Sequence, residues 1–353
     1  MTYRQLASGD SSRDYSQVFL DFGVACVGPG RPGSCHQDSW RDLYNFQNVP
    51  AADMRRIARF LSIKAGDRII LKSGKRVAIA IGEVEEQERG IYEFARRFDD
   101  VDGWDIQHCI RVKWKPVGLT FTRNVFDQHT ISVFTSPTFI KLIETKARNK
   151  EPIRPKGQVH DLGHYEPFRY ETLERILTWQ GIRISDAENV SQTIRRTEKL
   201  AKWYLSQPQL AAGEHEIRTF LVVPLLEALG WSPQQIRIEK TFSKKKLDLV
   251  LYARPSDELP CMLIETKRMY QGSANAIEQA KEYIQKVEGL KHLRVFIVTD
   301  GVRYWRYDLI NTEWRAIAYM NFEIPRPENL AYPGLKGMYD LLVSLHVSQF
   351  QRM

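Results

Sequence analysis

A chain of 353 residues with 43% hydrophobic and 27% charged side chains has room for two domains that each bury a core, and it carries no low-complexity tract or internal repeat. The formal net charge of +8 suits a polyanionic partner without requiring one. No stretch is long enough to cross a bilayer and no cationic-apolar leader is expected; Cys26, Cys35, Cys109 and Cys261 lack a disulfide-framework spacing, so a cytoplasmic protein is expected.

In chain order, residues 1–13 are polar and expected to fray. From 17 to about 118 short apolar runs alternate with turns, and Ser73-Gly74-Lys75 between two β-rich runs predicts a hairpin. GPGRPG (28–33) sits on no strand-to-helix junction, so it predicts a mobile loop rather than a phosphate cradle. Residues 119–150 are mixed, EPIRPKG (151–157) reads as a break, and about 170–210 read as a helical connector. EHEIRTFLVVPLLEALGW (214–231) has apolar residues at helical spacing and ends at Gly230. Then come two short apolar strands (247–252 and 261–265), a helix through AIEQAKEYIQ, and LRVFIVTDGVRYWRYDL, a strand, a turn at Asp300-Gly301 and a returning strand. The expected layout is residues 1–150 as a first module, 151–210 as linker and helical connector, and 211–353 as a second domain.

The chemistry is concentrated in KKKLDLVLYA and CMLIETKRM. Asp248 interrupts one apolar strand and Glu265 closes the next, where an unpaired carboxylate is costly. Two carboxylates on adjacent strand ends suit a divalent cation, and Lys267, two residues beyond Glu265, points to the same face. Salt bridges to neighbouring lysines are the alternative use of those acids. Glu214 or Glu216 on the first turn of the upstream helix offers a third carboxylate, Glu214 having Arg218 one turn away. Gln279 and Tyr283 share one face of the downstream helix. Lys244, Lys245 and Lys246 suit either DNA phosphate or a solvated turn, and the adjacent pairs Cys35-His36 and His108-Cys109 lack zinc-site spacing.

From about 195 to 320 the chain resembles the PD-(D/E)XK nuclease domain at the N-terminus of type I restriction motor subunits (HsdR-like). The resemblance runs through E-x-x-x-R…PLLEALGW, K-L-D-L-V-L, I-E-T-K, the Q-x-x-x-Y helix and V-T-D-G-V-R-Y-W. It implies an α/β nuclease core with a mixed central sheet, with Mg²⁺ (or Mn²⁺ in its place) held by Glu214, Asp248 and Glu265, and Glu216 competing with Glu214 for the helix position. It implies that Lys267 activates water and stabilises phosphorane charge, that Gln279 orients the metal site or the DNA backbone, and that Tyr283 supports it. Thr266 stands where the family often has alanine. No G-x-x-x-x-G-K-[ST] segment is present, so cleavage without ATP is expected. A duplex break calls for a homodimer or two sequential nicks.

SWRDLYNFQNV, the helix ADMRRIARFLSI and KAGDRIILKSGKRVAIAIGEV resemble, more loosely and over about 17–118, the EVE branch of the PUA-like fold. That resemblance implies a β-barrel with helices that holds a flipped, modified base of double-stranded DNA in an aromatic cage. Trp40 and Trp104 are the cage candidates, with Asn45 and Asp105 as edge readers; Tyr44, Phe46 and Trp114 are expected in the core, and Asp105 also suits a turn cap. The α+β two-domain chain is thus expected to be a modification-dependent restriction endonuclease. A structure-specific or repair nuclease, and a non-enzymatic DNA-binding protein, are the alternatives.

Overall fold

Strand-forming runs fall into two groups, and the computed structural model gathers them into two sheets in two units, residues 1–163 and 164–353. Residues 1–37, 39–88, 90–160, 166–207, 212–242, 245–269 and 271–351 are described. Lys244 lies outside them.

The first unit runs β1 (Tyr3–Ala7), α1 (Ser16–Phe22), β2 (Val24–Val27), α2 (Trp40–Phe46), α3 (Ala51–Leu61), β3 (Arg68–Ser73), β4 (Val77–Val84), β5 (Tyr92–Phe94), β6 (His108–Thr120), β7 (Ile131–Val133) and α4 (Pro137–Ala147). Its sheet has the order β2-β6-β4-β3-β1-β7, with β5 also on β6. Among the described residues no pairing joins β2 to β7, so the expected barrel stays open. The predicted hairpin forms as β3 and β4, turning at Gly74 with φ +56°, a conformation glycine adopts without a Cβ penalty.

The N-terminus departs from expectation. Residues 3–7 do not fray; they pair parallel to β3 and antiparallel to β7, with Leu6 buried, because a strand between two partners satisfies its amides on both sides. On the other side of the hairpin, Phe121, Phe126 and Phe134 join Ile143 and Ala147 of α4 to cover Ile70, Ile81 and Val117.

The second unit runs α5 (Tyr170–Trp179), α6 (Ile184–Ser206), α7 (Glu214–Ile217), a π-helical turn at Arg218–Val222, α8 (Val223–Ala228), β8 (Ile236–Phe242), β9 (Lys245–Leu251), β10 (Met262–Thr266), α9 (Ala274–Lys286), β11 (Val295–Thr299), β12 (Arg303–Ile310), β13 (Glu313–Asn321), α10 (Met338–Leu345) and α11 (Ser348–Gln351). The six strands keep chain order across the sheet, β10 and β11 parallel and the rest antiparallel. The parallel pair requires a crossover, which α9 supplies.

Leu249, Leu251, Met262 and Ile264 pack on α5, α6, α8 and α10, whereas Val250, Leu263 and Phe296 pack on Ala276 and Ala280 of α9, so both faces of the sheet are covered. The stretch 170–206, expected as a connector, contributes Leu173, Leu177, Val190 and Ile194 to this core. Pro224 explains the π turn: its ring would collide with the carbonyl four residues back in a regular α-helix, and the wider turn relieves that. Among the described residues no helix is long and apolar enough to cross a membrane.

Candidate active site

Asp248, in the middle of β9, and Glu265, near the C-terminal end of β10, are presented differently. Along β10 alternation holds. Leu263 faces α9, so Glu265 and Lys267 follow it, while Thr266 faces the α7–α8 side. Lys267 Nζ donates to Glu265 Oε1 at 2.7 Å and to Gln279 Oε1 at 2.9 Å, and Gln279 Nε2 donates to Tyr283 Oη at 2.6 Å. The four residues of two motifs thus form one connected chain, with the Lys245 ammonium 5.8 Å from the Tyr283 ring centroid.

Glu265 is 2% exposed, and its second oxygen, Oε2, is buried with no hydrogen-bond partner among the described residues. Burial, then the charge of Asp248, pushes its carboxyl up to about 7 against the pull of Lys267; the charge of Glu214 pushes in the same direction.

Along β9 alternation breaks. Leu247 packs with the α9 core and Leu249 with the opposite one, so the strand resets its facing at Asp248. Across from this point Glu239 on β8 has φ +54°, a left-handed conformation rare for a non-glycine residue. Asp248 consequently reaches the α7–α8 side. Its Oδ2 accepts from the Thr266 backbone N–H and hydroxyl, both at 2.8 Å, and its Oδ1 accepts from Arg218 Nη1 at 2.9 Å. Arg218, buried by the π turn, also donates to Thr266 Oγ1 and through Nη2 to Glu239 Oε1, each at 3.0 Å. Glu239 holds Lys246 at 2.6 Å.

The two halves adjoin at Thr266, which bonds Asp248 while its chain neighbours Glu265 and Lys267 face α9. Glu214 and Glu216 separate cleanly. Glu216 accepts from the Gly213 N–H at 3.0 Å as the cap of its own helix and is felt by Tyr204, whereas Glu214 is the one felt by Glu265.

Arg218 therefore serves Asp248 rather than Glu214, and Glu239 is a member of the network that the sequence did not single out. The E-x-x-x-R spacing was visible, but the partner of that arginine lies 30 residues away. Thr266, standing where the family often has alanine, uses its hydroxyl to orient Asp248.

Asp248 and Glu265 do not share the single face expected of them, but the charges of Asp248 and Glu214 both reach Glu265, and each carboxylate keeps an oxygen that suits a hard cation. Glu265 Oε2 is an orphaned buried oxygen that a cation would satisfy, and Asp248 Oδ1 keeps an acceptor position beside its single arginine bond. Among the described residues no three His, Cys, Asp or Glu side chains stand in a ready-made ligand cluster. That is compatible with Mg²⁺, which is commonly held by one or two carboxylates, waters and substrate phosphate rather than by an all-protein cage.

In the first unit the proposed base readers do not converge. Trp40 is buried, edge-on to Tyr44 at 5.4 Å, in a small core with Cys35 and Ile57. Asn45 is exposed on α2, and Phe46, expected in the core, is 86% exposed because α2 buries only the one-turn pair Trp40 and Tyr44. Tyr44 and Trp114 are core residues. Trp104 is 38% exposed in a tight turn, with the Arg13 guanidinium 5.1 Å from its ring centroid.

The 28–33 loop, expected to be mobile, is held from several sides. Asp105 Oδ2 accepts from the N–H groups of Gly30 at 2.8 Å and Arg31 at 2.6 Å, and Arg56 donates to the Gly28 carbonyl. Tyr44 Oη donates to the Gly33 carbonyl at 2.8 Å and contacts His108 Nε2 at 2.7 Å. His108 Nε2 lies 2.9 Å from the Pro29 carbonyl and Nδ1 lies 2.7 Å from Tyr92 Oη. A carbonyl can only accept, so Nε2 carries the proton and Nδ1 accepts from Tyr92. Burial pushes the imidazole down to about 4, keeping it neutral in this role.

Replacing Asp105 by alanine strands two amides, and a loss of about 1–3 kcal/mol is expected. Hydrogen exchange at Gly30 and Arg31 should rise together with a lower unfolding midpoint; unchanged protection there would show that the loop does not depend on Asp105.

Comparison with known proteins points to the second unit. Residues 233–315 match the family described as "Type I restriction enzyme R protein N terminus", a span that contains β9, β10, α9 and the β11–β12 turn. The match is to a restriction-type nuclease domain and covers part of the chain. No curated protein matches. Among solved structures, the chain is similar to a fragment described as an HsdR subunit of a type I restriction enzyme from Vibrio vulnificus, at 22% identity and a TM-score of 0.26. That alignment covers 31% of this chain and 23% of the other.

Proposed function

We propose that the chain is a Mg²⁺-dependent DNA endonuclease of the restriction type, whose cutting is directed by a modified base read by the first unit. One observation carries the catalytic half: the unpartnered, buried Glu265 oxygen lies beside a lysine clamped by Gln279, within the span that matches the restriction family. Asp248, Glu265 and Glu214 would hold the ion, and Mn²⁺ would serve in its place. When bound, the ion supplies Lewis-acid polarisation of the scissile phosphate and a more acidic water.

The chain's own residues do the rest. Gln279 and Glu265 fix the Lys267 ammonium so that it donates to the charge that develops on the phosphate oxygens, without reorganising as the reaction proceeds. Tyr283 holds the Gln279 amide in the orientation that leaves its oxygen on Lys267. Thr266 and Arg218 hold the Asp248 carboxylate aligned through bonds to both of its oxygens.

For the reader, the partly exposed Trp104 ring is the feature that favours stacking on an extruded base, whereas Trp40 belongs to a separate small core. The biological role would be restriction of DNA bearing modified bases, in the cytoplasm.

The test is incubation with Mg²⁺ or Mn²⁺ and duplexes that differ only in base chemistry (plain, methylated, hydroxymethylated, glucosylated, phosphorothioated). Cleavage confined to one modification is expected, together with its loss in Trp104→Ala. Equal cutting of every duplex would remove the reader and leave a repair-type nuclease; no cutting with either ion would remove the nuclease.

A further inference from the structure

A basic open groove lies in the first unit and is used by neither the candidate active site nor the loop network's core. It has a volume of about 300 Å³ and lies between α3 and the turn that enters β7, with Arg55, Arg56, Arg59, Gln128 and His129 on its walls. Arg55 and Arg59 are one helical turn apart, so they share a face of α3. Both are exposed, and neither has an ion-pair partner among the described residues. Like charges at that spacing disfavour a helix by roughly 0.2–0.5 kcal/mol, so an unpaired arginine pair is better explained by an anion that it meets than by the stability of α3.

Arg56 points elsewhere, pairing with Asp53 at 2.8 Å and donating to the Gly28 carbonyl, which ties the groove wall to the pinned 28–33 loop. The opposite wall is also built. Asp127 accepts from the His129 N–H at 2.8 Å and from the Ser132 hydroxyl at 2.6 Å, setting the turn that presents Gln128 and His129. Guanidinium forks match phosphate oxygens bidentately, and the rise between Arg55 and Arg59 of about 6 Å lets each take a separate phosphate.

We infer that the groove between α3 and the 127–131 turn binds the phosphodiester backbone of duplex DNA, Arg55 and Arg59 each pairing with one phosphate. The inference rests on the DNA-binding reading above and adds the surface that anchors the strand. It places Arg56 as the link between an occupied groove and the 28–33 loop.

Binding of the full-length chain to a plain duplex in EDTA, measured by anisotropy across a salt series, tests it. The double reversal R55E/R59E should weaken binding at least about tenfold and flatten the plot of log affinity against log salt by about 2, since each phosphate contact contributes a slope of about 0.9. R55K/R59K should keep the slope, because lysine still neutralises phosphate. The control K141E/K146E makes the same charge change on exposed positions of α4 and should leave the slope unchanged.

If the α3 and α4 reversals act equally, only net charge matters and the groove assignment is wrong while DNA binding stands. A larger effect on RNA than on duplex DNA also overturns it. A wild-type chain that binds no duplex overturns the groove and the DNA reading together. Matching thermal midpoints for all variants confirm that folding is not what changed.

Discussion

Replacing Asp248 by asparagine should stop DNA cleavage and also loosen the fold, because the carboxylate has two separable duties. Chemically, asparagine removes one of the anionic oxygens proposed to hold the cation, and a rate loss of at least about 10²-fold is expected. Structurally, an amide cannot satisfy both neighbours. Its oxygen can accept from the Thr266 N–H and hydroxyl, but its NH₂ then faces Arg218 Nη1, donor against donor. Arg218 is buried and keeps only Glu239, which is partly solvated, as a charge partner.

Breaking one arm of a buried pair costs about 3–5 kcal/mol, and the surviving arm together with the partial exposure of Asp248 reduces that to about 1–3 kcal/mol here. The double variant R218M/D248N separates the duties. It removes the stranded guanidinium and should recover most of the lost unfolding free energy while remaining inactive in a plasmid-nicking assay. Wild-type cutting by D248N would refute the assignment of Asp248 to the chemistry.

That dual role also marks the boundary between what was legible in the sequence and what was not. Patterns confined to one element transferred well. Glu265 and Lys267 share a face because β-strands alternate, and Gln279 and Tyr283 share one because helices repeat near four; the structure bonds these residues into one chain. The hairpin at Gly74 and the turn at Asp300-Gly301 were equally local, the latter closed by Asp300 accepting from the N–H groups of Val302 and Arg303.

The facing of Asp248 was not local. An apolar run such as LDLVLY gives no sign that alternation resets in its middle, and the cause lies on another strand, at Glu239. The same limit applies to the first unit. Tyr44 and His108 are 64 residues apart, and their meeting, with the bonds from Asp105 and Arg56, turns a glycine- and proline-rich segment from an expected mobile loop into a pinned one. Phe46 shows the opposite error, since an aromatic side chain in a helix carries a prior for burial, yet the two positions that α2 buries are Trp40 and Tyr44. The frayed reading of residues 1–13 failed for the same reason. A parallel partner such as β3, some sixty residues on, leaves no trace in a short polar N-terminus.

Glu265→Gln should also be inactive, but its effect on stability has the opposite sign and depends on pH. In the folded chain the Glu265 carboxyl is raised from an ordinary value of 4.5 to about 7 by burial and by the charge of Asp248. A group raised on folding contributes stability that is full below its unfolded value and is lost as pH climbs through its folded value. Wild-type stability should therefore fall between about pH 4.5 and pH 7 relative to the glutamine variant, by up to about 3 kcal/mol at 1.36 kcal/mol per pKa unit, and the difference should level off above that window.

Lys267 loses a counter-charge in the variant, but it keeps Gln279 and partial access to solvent, which limits the offset. Urea midpoints of both proteins in EDTA across that range give the difference directly, and effects of the other carboxylates cancel. A difference that stays flat with pH would mean that Glu265 titrates like a solvated acid, contrary to its burial. Repeating the series with Mg²⁺ adds a readout that does not depend on cleavage. An ion bound to the folded chain should restore stability to the wild type above pH 7, growing with ion concentration, and should leave the glutamine variant little changed. Equal stabilisation of both proteins would place any bound ion away from Glu265, and the proposed chemistry would lose its central ligand.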